Sequence, residues 1–172
     1  MDVALIVDGA NVMGSRADGW WRDRAGAMAR LYGELAALAA GGLTGPVPGA
    51  DAAPESGGAG GAAGPGGAAE AGSAGGAGAA AGPAGETAGG RWFPHIYLVV
   101  EGRARAVLDL VSEAPQLRVV AARGEGDDEI ASLAGRLTGR RVVVTADREL
   151  RRRCESAGAA IAGPGWLIRQ FS

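Results

Sequence analysis

The sequence contains no lysine, and all 17 of its basic residues are arginine. That absence excludes a Walker-type phosphate loop, Schiff-base chemistry and a kinase catalytic Lys. A single cysteine, Cys154, excludes a disulfide framework and a Cys-based zinc centre. A single histidine, His95, excludes a multi-histidine metal site and leaves nucleophilic triads short of members. Long apolar runs are also missing, and nothing approaches the roughly 20 residues of a membrane span. The N-terminus, Met1-Asp2-Val3, has no basic stretch, and its apolar run ends at Val7, so a cytoplasmic location is expected. Any metal held by such a chain would be a hard cation bound by carboxylates.

Large side chains are scarce in one place above all. Between Gly41 and Gly90, 50 residues include 19 Gly, 16 Ala and 5 Pro, and only Leu43 and Val47 are large and aliphatic. Such a segment cannot bury enough apolar surface to offset the entropy of ordering it. A disordered insertion over 41–90 is therefore predicted, splitting one domain into residues 1–40 and 91–172. The insertion carries four acids and no Arg, which leaves the other 122 residues with a net charge of +2.

What remains alternates between two periodicities. Val3–Val7, Ile96–Val100, Leu117–Ala121 and Val142–Val144 are short apolar runs of the kind buried on both faces of a sheet, and Ala159–Ala162 is a weaker fifth. Between them lie helical patterns over 22–40, 103–113, 127–138 and 147–156, and a short helix around 166–170 closes the chain. Met28, Leu31, Leu35 and Leu38 mark one helical face. Five strand-helix repeats predict an α/β three-layer sandwich around a mostly parallel five-stranded sheet. Sites in such sheets lie at the carboxyl ends of the strands. The insertion joins a helix end to a strand start, so it is expected at the opposite edge.

Acidic residues gather at the carboxyl edge. Asp8 ends the first strand and Glu101 the second; Asp127, Asp128 and Glu129 follow the third, and Asp147 follows the fourth after Thr145. Two carboxylates about 4 Å apart repel by roughly 4 kcal/mol at an effective dielectric near 20. Proteins relieve such crowding by raising a pKa or by binding a cation, and oxygen-only ligands suit Mg²⁺ or Mn²⁺. Asp127 and Asp147 also stand where a helix cap belongs, and capping alone would account for either. Asp8 is expected not to cap, because the helix predicted after it begins a dozen residues later.

The segment Leu5-Ile6-Val7-Asp8-Gly9-Ala10-Asn11-Val12 resembles the opening signature of NYN domains, the PIN-like nucleases that include the YacP-type bacterial ribonucleases. Gly126-Asp127-Asp128-Glu129-Ile130 and Val143-Val144-Thr145-Ala146-Asp147-Arg148-Glu149 resemble the second and third acidic motifs of that family. The resemblance implies a PIN-like fold and a metal-dependent endoribonuclease acting on single-stranded or flexible RNA. It implies Asp8, Asp127 and Asp147 as catalytic carboxylates. Asp8, Glu101, Asp127, Asp128 and Asp147 would be metal ligands for Mg²⁺ or Mn²⁺, with Glu101 at a place where relatives often have Asp. Asn11 would orient a ligand or phosphate. Arg22 and Arg24, in the long loop after the first strand with Arg16, and Arg148 beside Asp147 would bind substrate. A non-catalytic PIN-like module that holds RNA or protein is the alternative. A haloacid-dehalogenase-type phosphatase would need an acid where Ala10 stands, and a response-regulator receiver would need the absent Lys.

The remaining residues have plainer expectations. Trp20-Trp21 either pack on the helix they precede or stack on unpaired bases. Arg151-Arg152-Arg153 forms a solvated helix face, His95 is structural, and Cys154 is a small core residue beside Leu150.

Overall fold

An apolar run is buried on both faces only inside a parallel sheet, and Val3–Asp8 (β1) occupies the centre of one. The computed structural model describes residues 2–50, 90–109 and 114–171. In it β1 lies between His95–Val100 (β4) and Arg140–Val144 (β6). Leu117–Ala121 (β5) extends the sheet beyond β4, and Ala160–Ala162 (β7) extends it beyond β6. All four pairings are parallel, and the register sets Leu5 opposite Ile96 on one side and Val142 on the other.

Side chains of a strand alternate between faces, and the two faces are covered by different helices. Leu5, Val7, Ile96, Leu98, Val142 and Val144 pack with Met28, Leu31 and Leu35 of Arg24–Gly41 (α2) and with Leu167 of Pro164–Ile168 (α5). Ile6, Val99 and Val143 pack instead with Ile130 and Leu133 of Gly126–Arg136 (α3) and with Leu150 and Cys154 of Arg148–Ser156 (α4). The architecture is the expected α/β sandwich, with helices on both faces of a five-stranded parallel sheet. No helix among the described residues is long and apolar enough to cross a membrane.

Three local expectations change. The residues after β1 do not remain a loop: Gly9–Gly14 forms a short helix (α1) directly on the strand end. It sits so close to β4 that a Cβ at Gly9 would lie 2.7 Å from the Val99 carbonyl oxygen, which explains the glycine. The helix predicted over 103–113 is a 3-10 helix over Gly102–Asp109, with Val107 buried, and 110–113 lie outside the described residues.

The third change is the near boundary of the predicted insertion. α2 runs to Gly41, and Leu43–Thr44 (β2) pairs antiparallel with Arg91–Trp92 (β3). Leu43 is fully buried and Val47 packs against the same core, so the only two large aliphatics of the segment are the ones that anchor it. Gly49 approaches Ala160 at the start of β7, which puts this stretch at the sheet's amino edge, as expected. Residues 51–89 lie outside the described residues. Truncating Leu43 to Ala should cost about 2–5 kcal/mol in a urea melt, as for a core leucine. A cost within about 0.5 kcal/mol, typical of surface positions, would return Leu43 to the insertion.

Candidate active site

The strand order β5-β4-β1-β6-β7 reverses direction at β1, because the chain moves outward through β4 and β5 and then returns to β6 on the other side. A crevice opens beyond the carboxyl ends of two strands whose connections diverge in this way. Asp8 ends β1 at that point and is 8 % exposed. Its Oδ1 accepts from the Asn11 N–H at 3.1 Å, capping α1, and its Oδ2 accepts from the Thr145 hydroxyl at 3.0 Å. The expectation that Asp8 caps nothing is thus overturned, since a short helix starts at once. Carboxylate oxygens hold two lone pairs each, so capping leaves acceptor capacity toward the crevice.

The other loops are tied to the same place. Asn11 Oδ1 accepts from the Ala146 N–H at 2.8 Å, joining the loop after β1 to the loop after β6. Thr145 Oγ1 accepts from the Asp147 N–H at 3.1 Å while its own proton goes to Asp8. Asp147 caps α4 through the Leu150 N–H at 2.8 Å. Glu101, just past β4, accepts from the Gly126 N–H at 2.6 Å and so anchors the start of α3. Asp127 lies in the first turn of α3 but is not its cap, and its side chain makes no hydrogen bond among the described residues. Asp8, Asn11, Glu101, Asp127 and Asp147 line one depression of about 260 Å³.

Burial and like charge act together there. Desolvation raises the Asp8 carboxyl above its ordinary range, the Asn11 and Thr145 hydrogen bonds oppose it, and the charges of Asp127 and Glu101 add to it. Asp127 is raised by burial first and then by Asp147 and Glu101, with Arg153 opposing. A carboxyl raised on folding binds protons more tightly in the folded state. Its contribution to stability is complete below the unfolded value near 3.8 and is lost as pH rises through the folded value. In chelator, wild-type stability should fall relative to Asp8→Asn as pH rises from about 4 to about 8, read by urea melts. Parallel curves for the two proteins would remove Asp8 from the crowded set.

Some expected site residues lie elsewhere. Asp128 is exposed and pairs with Arg153 at 2.9 Å, away from the depression, because neighbouring residues of a helix turn point about 100° apart. Arg16 pairs with Glu34 at 2.6 Å and stands over the ring of Phe171. Arg148 is exposed at the start of α4. Arg22 and Arg24 are exposed and stand over the rings of Trp21 and Trp20 at 5.9 and 5.4 Å. His95 opens β4 as an exposed residue, and Cys154 is buried, with its thiol pushed up to about 11 chiefly by desolvation. Of the arginine run, Arg151 donates from Nε to the Thr145 carbonyl at 3.0 Å, so it is not merely solvated. Thr145 is the residue that sequence reasoning passed over. Its signal was a polar side chain closing a buried apolar strand two residues before an acid.

The donor set fits a hard cation in kind, since the ionisable groups lining the depression, Asp8, Glu101, Asp127 and Asp147, are all carboxylates. Among the described residues no three Asp, Glu, His or Cys side chains are arranged to hold a metal ion.

No family model matches the chain, and no curated protein matches it. Among solved structures it is similar to Rae1 (YacP) from Bacillus subtilis, determined as a point mutant. The fold is shared. The TM-score is 0.57 at 15% identity, over 99% of this chain and 75% of Rae1. The likeness to Rae1 extends to the whole mostly parallel α/β sheet, and at this identity it concerns the fold alone.

Proposed function

We propose that the protein is a metal-dependent ribonuclease that hydrolyses phosphodiester bonds of single-stranded or flexible RNA. The observation that carries this reading is the convergence of Asp8, Glu101, Asp127 and Asp147, from four separate connections, on one depression at the sheet's switch point. Asp8 is raised in part by the charges of Asp127 and Glu101, and Asp127 in part by those of Asp147 and Glu101, which is a standing reason to bind a cation. The YacP name of the structural neighbour agrees with the family that the three acidic motifs resemble.

Asp8, Asp127 and Asp147, with Glu101, would hold Mg²⁺ or Mn²⁺. When bound, such a cation supplies Lewis acidity toward water and the scissile phosphate. The chain's own residues set the stage for it. Thr145 and the α1 amide fix both oxygens of Asp8, Leu150 fixes Asp147, and Gly126 fixes Glu101. Asp127 is the member of the four whose carboxylate no hydrogen bond among the described residues fixes in place. No side-chain nucleophile is required, in keeping with one buried Cys and one distant His.

A second reading, a module that binds RNA without cutting it, is favoured by one observation: no three of these side chains are set to hold an ion among the described residues. Incubating the protein with labelled RNA, DNA and nucleoside triphosphates, with and without Mn²⁺, separates the two. Mn²⁺-dependent cutting of RNA is expected. RNA binding with no cutting under any cation selects the module, and turnover of triphosphates alone selects neither.

A further inference from the structure

A second hollow of about 330 Å³ adjoins the acidic depression, and the two share Ala10 and Glu101 in their walls. Its chemistry is different. Met13 and Met28 are buried beneath it, and Trp20 forms one wall with the Arg24 guanidinium 5.4 Å from its ring centroid. At the rim stands Glu125, an exposed carboxylate that makes no hydrogen bond to its helix or to other described residues. A third hollow, sharing Arg24, continues past Trp21 and Arg22, and Trp21 is 58% exposed. The acidic crevice thus adjoins the aromatic pocket, and the pocket adjoins a ledge of Trp21, Arg22, Asp23 and Arg24.

We infer that the Trp20 pocket seats one unpaired nucleobase, guanine by preference, of the strand whose phosphate enters the acidic depression. This rests on the ribonuclease reading for the phosphate and goes beyond it for the base. Apolar pockets of about 300 Å³ and above with a few placed polar groups are the usual form of a small-molecule site. Aromatic walls and adjacent arginines are what unpaired bases stack and pair with. Duplex RNA keeps its bases stacked inside the helix, so only a single strand presents a base to such a pocket. Glu125 adds selection: a carboxylate only accepts, and guanine alone offers two adjacent donors, at N1 and N2, on one edge.

The test is a binding scan in chelator, with short end-labelled oligoribonucleotides in which one base at a time is made abasic. One position should lose about 5- to 150-fold in affinity, the range that one stacked base carries. That position should adjoin the bond cut when Mn²⁺ is added. In Trp20→Leu, which keeps an apolar side chain against Gly14, intact RNA should bind that much more weakly and the abasic penalty should vanish. Trp20→Phe, which keeps a ring face, should retain most of it and guards against a fold defect in the first variant. Placing uracil at the position should weaken binding to wild type more than to Glu125→Gln. Equal abasic penalties along the strand, a penalty unchanged in Trp20→Leu, or no RNA binding would overturn the pocket; an equal uracil penalty in Glu125→Gln would overturn the guanine preference. Coupling of base to Trp20 without Mn²⁺-dependent cutting keeps the pocket and removes the ribonuclease, whereas cutting without coupling does the reverse.

Discussion

Asp8→Asn and Asp147→Asn should each lower Mn²⁺-dependent RNA cleavage by about a hundredfold or more, while both proteins stay folded. Outer partners of a metal site typically cost 10–100-fold when removed, and carboxylates that face the ion directly belong at or beyond the upper end. Asparagine is chosen because both residues are also helix caps. Asp8 accepts from the Asn11 N–H and Asp147 from the Leu150 N–H, and Asn caps about as well as Asp. The substitution therefore removes the charge and keeps the cap. Stability in chelator should be unchanged or higher, because repulsion in the crevice falls. A thermal melt and a cleavage assay on each variant settle it: if Asp147→Asn cuts RNA normally, Asp147 is a cap and nothing more.

The dual role of these two residues shows where sequence reasoning reached and where it stopped. The central strands were legible because Leu5–Val7 and Val142–Val144 are apolar on both faces, a pattern only a parallel sheet buries. From their order the carboxyl edge followed, and so did the meeting of Asp8, Glu101, Asp127 and Asp147. α1 was not legible. Six residues, Gly-Ala-Asn-Val-Met-Gly, carry no readable period, and their helix exists because Asp8 caps it and Gly9 lets it lie against Val99. Asp128 illustrates a different limit. Sequence says that two adjacent acids on a helix diverge, but not which one faces the crevice; the phase set by buried Ile130 and Ala134, three and seven residues on, turns Asp127 inward and leaves Asp128 exposed beside Arg153. At Leu43 the composition of 50 residues hid one buried side chain. Averages over a long window cannot register a two-residue strand.

Thr145→Val should cost about 10–100-fold in cleavage and raise the Mn²⁺ concentration needed for half-maximal rate, as loss of an outer partner does. Val matches Thr in shape, so the change isolates the hydroxyl. That hydroxyl donates a hydrogen bond to Asp8 and accepts one from the Asp147 N–H, at 3.0 and 3.1 Å. It bonds to both the end of β1 and the cap of α4. Its removal leaves the nearly buried Asp8 carboxylate short of a donor and the Asp147 N–H short of an acceptor, a penalty of about 1–3 kcal/mol for a buried unpaired group. Desolvation then dominates Asp8 further, since the Thr145 bond is one of the two contacts that hold its pKa down. The acid limb of the cleavage pH profile should accordingly move to higher pH, a shift that lost packing alone would not produce. Thr145→Ser restores the hydroxyl without the methyl and should recover most of the rate, the metal response and the pH limb together. If Ser is as impaired as Val, or if Val lowers stability but leaves the Mn²⁺ titration and the pH profile where they were, Thr145 fills space at the strand end and does not position the site.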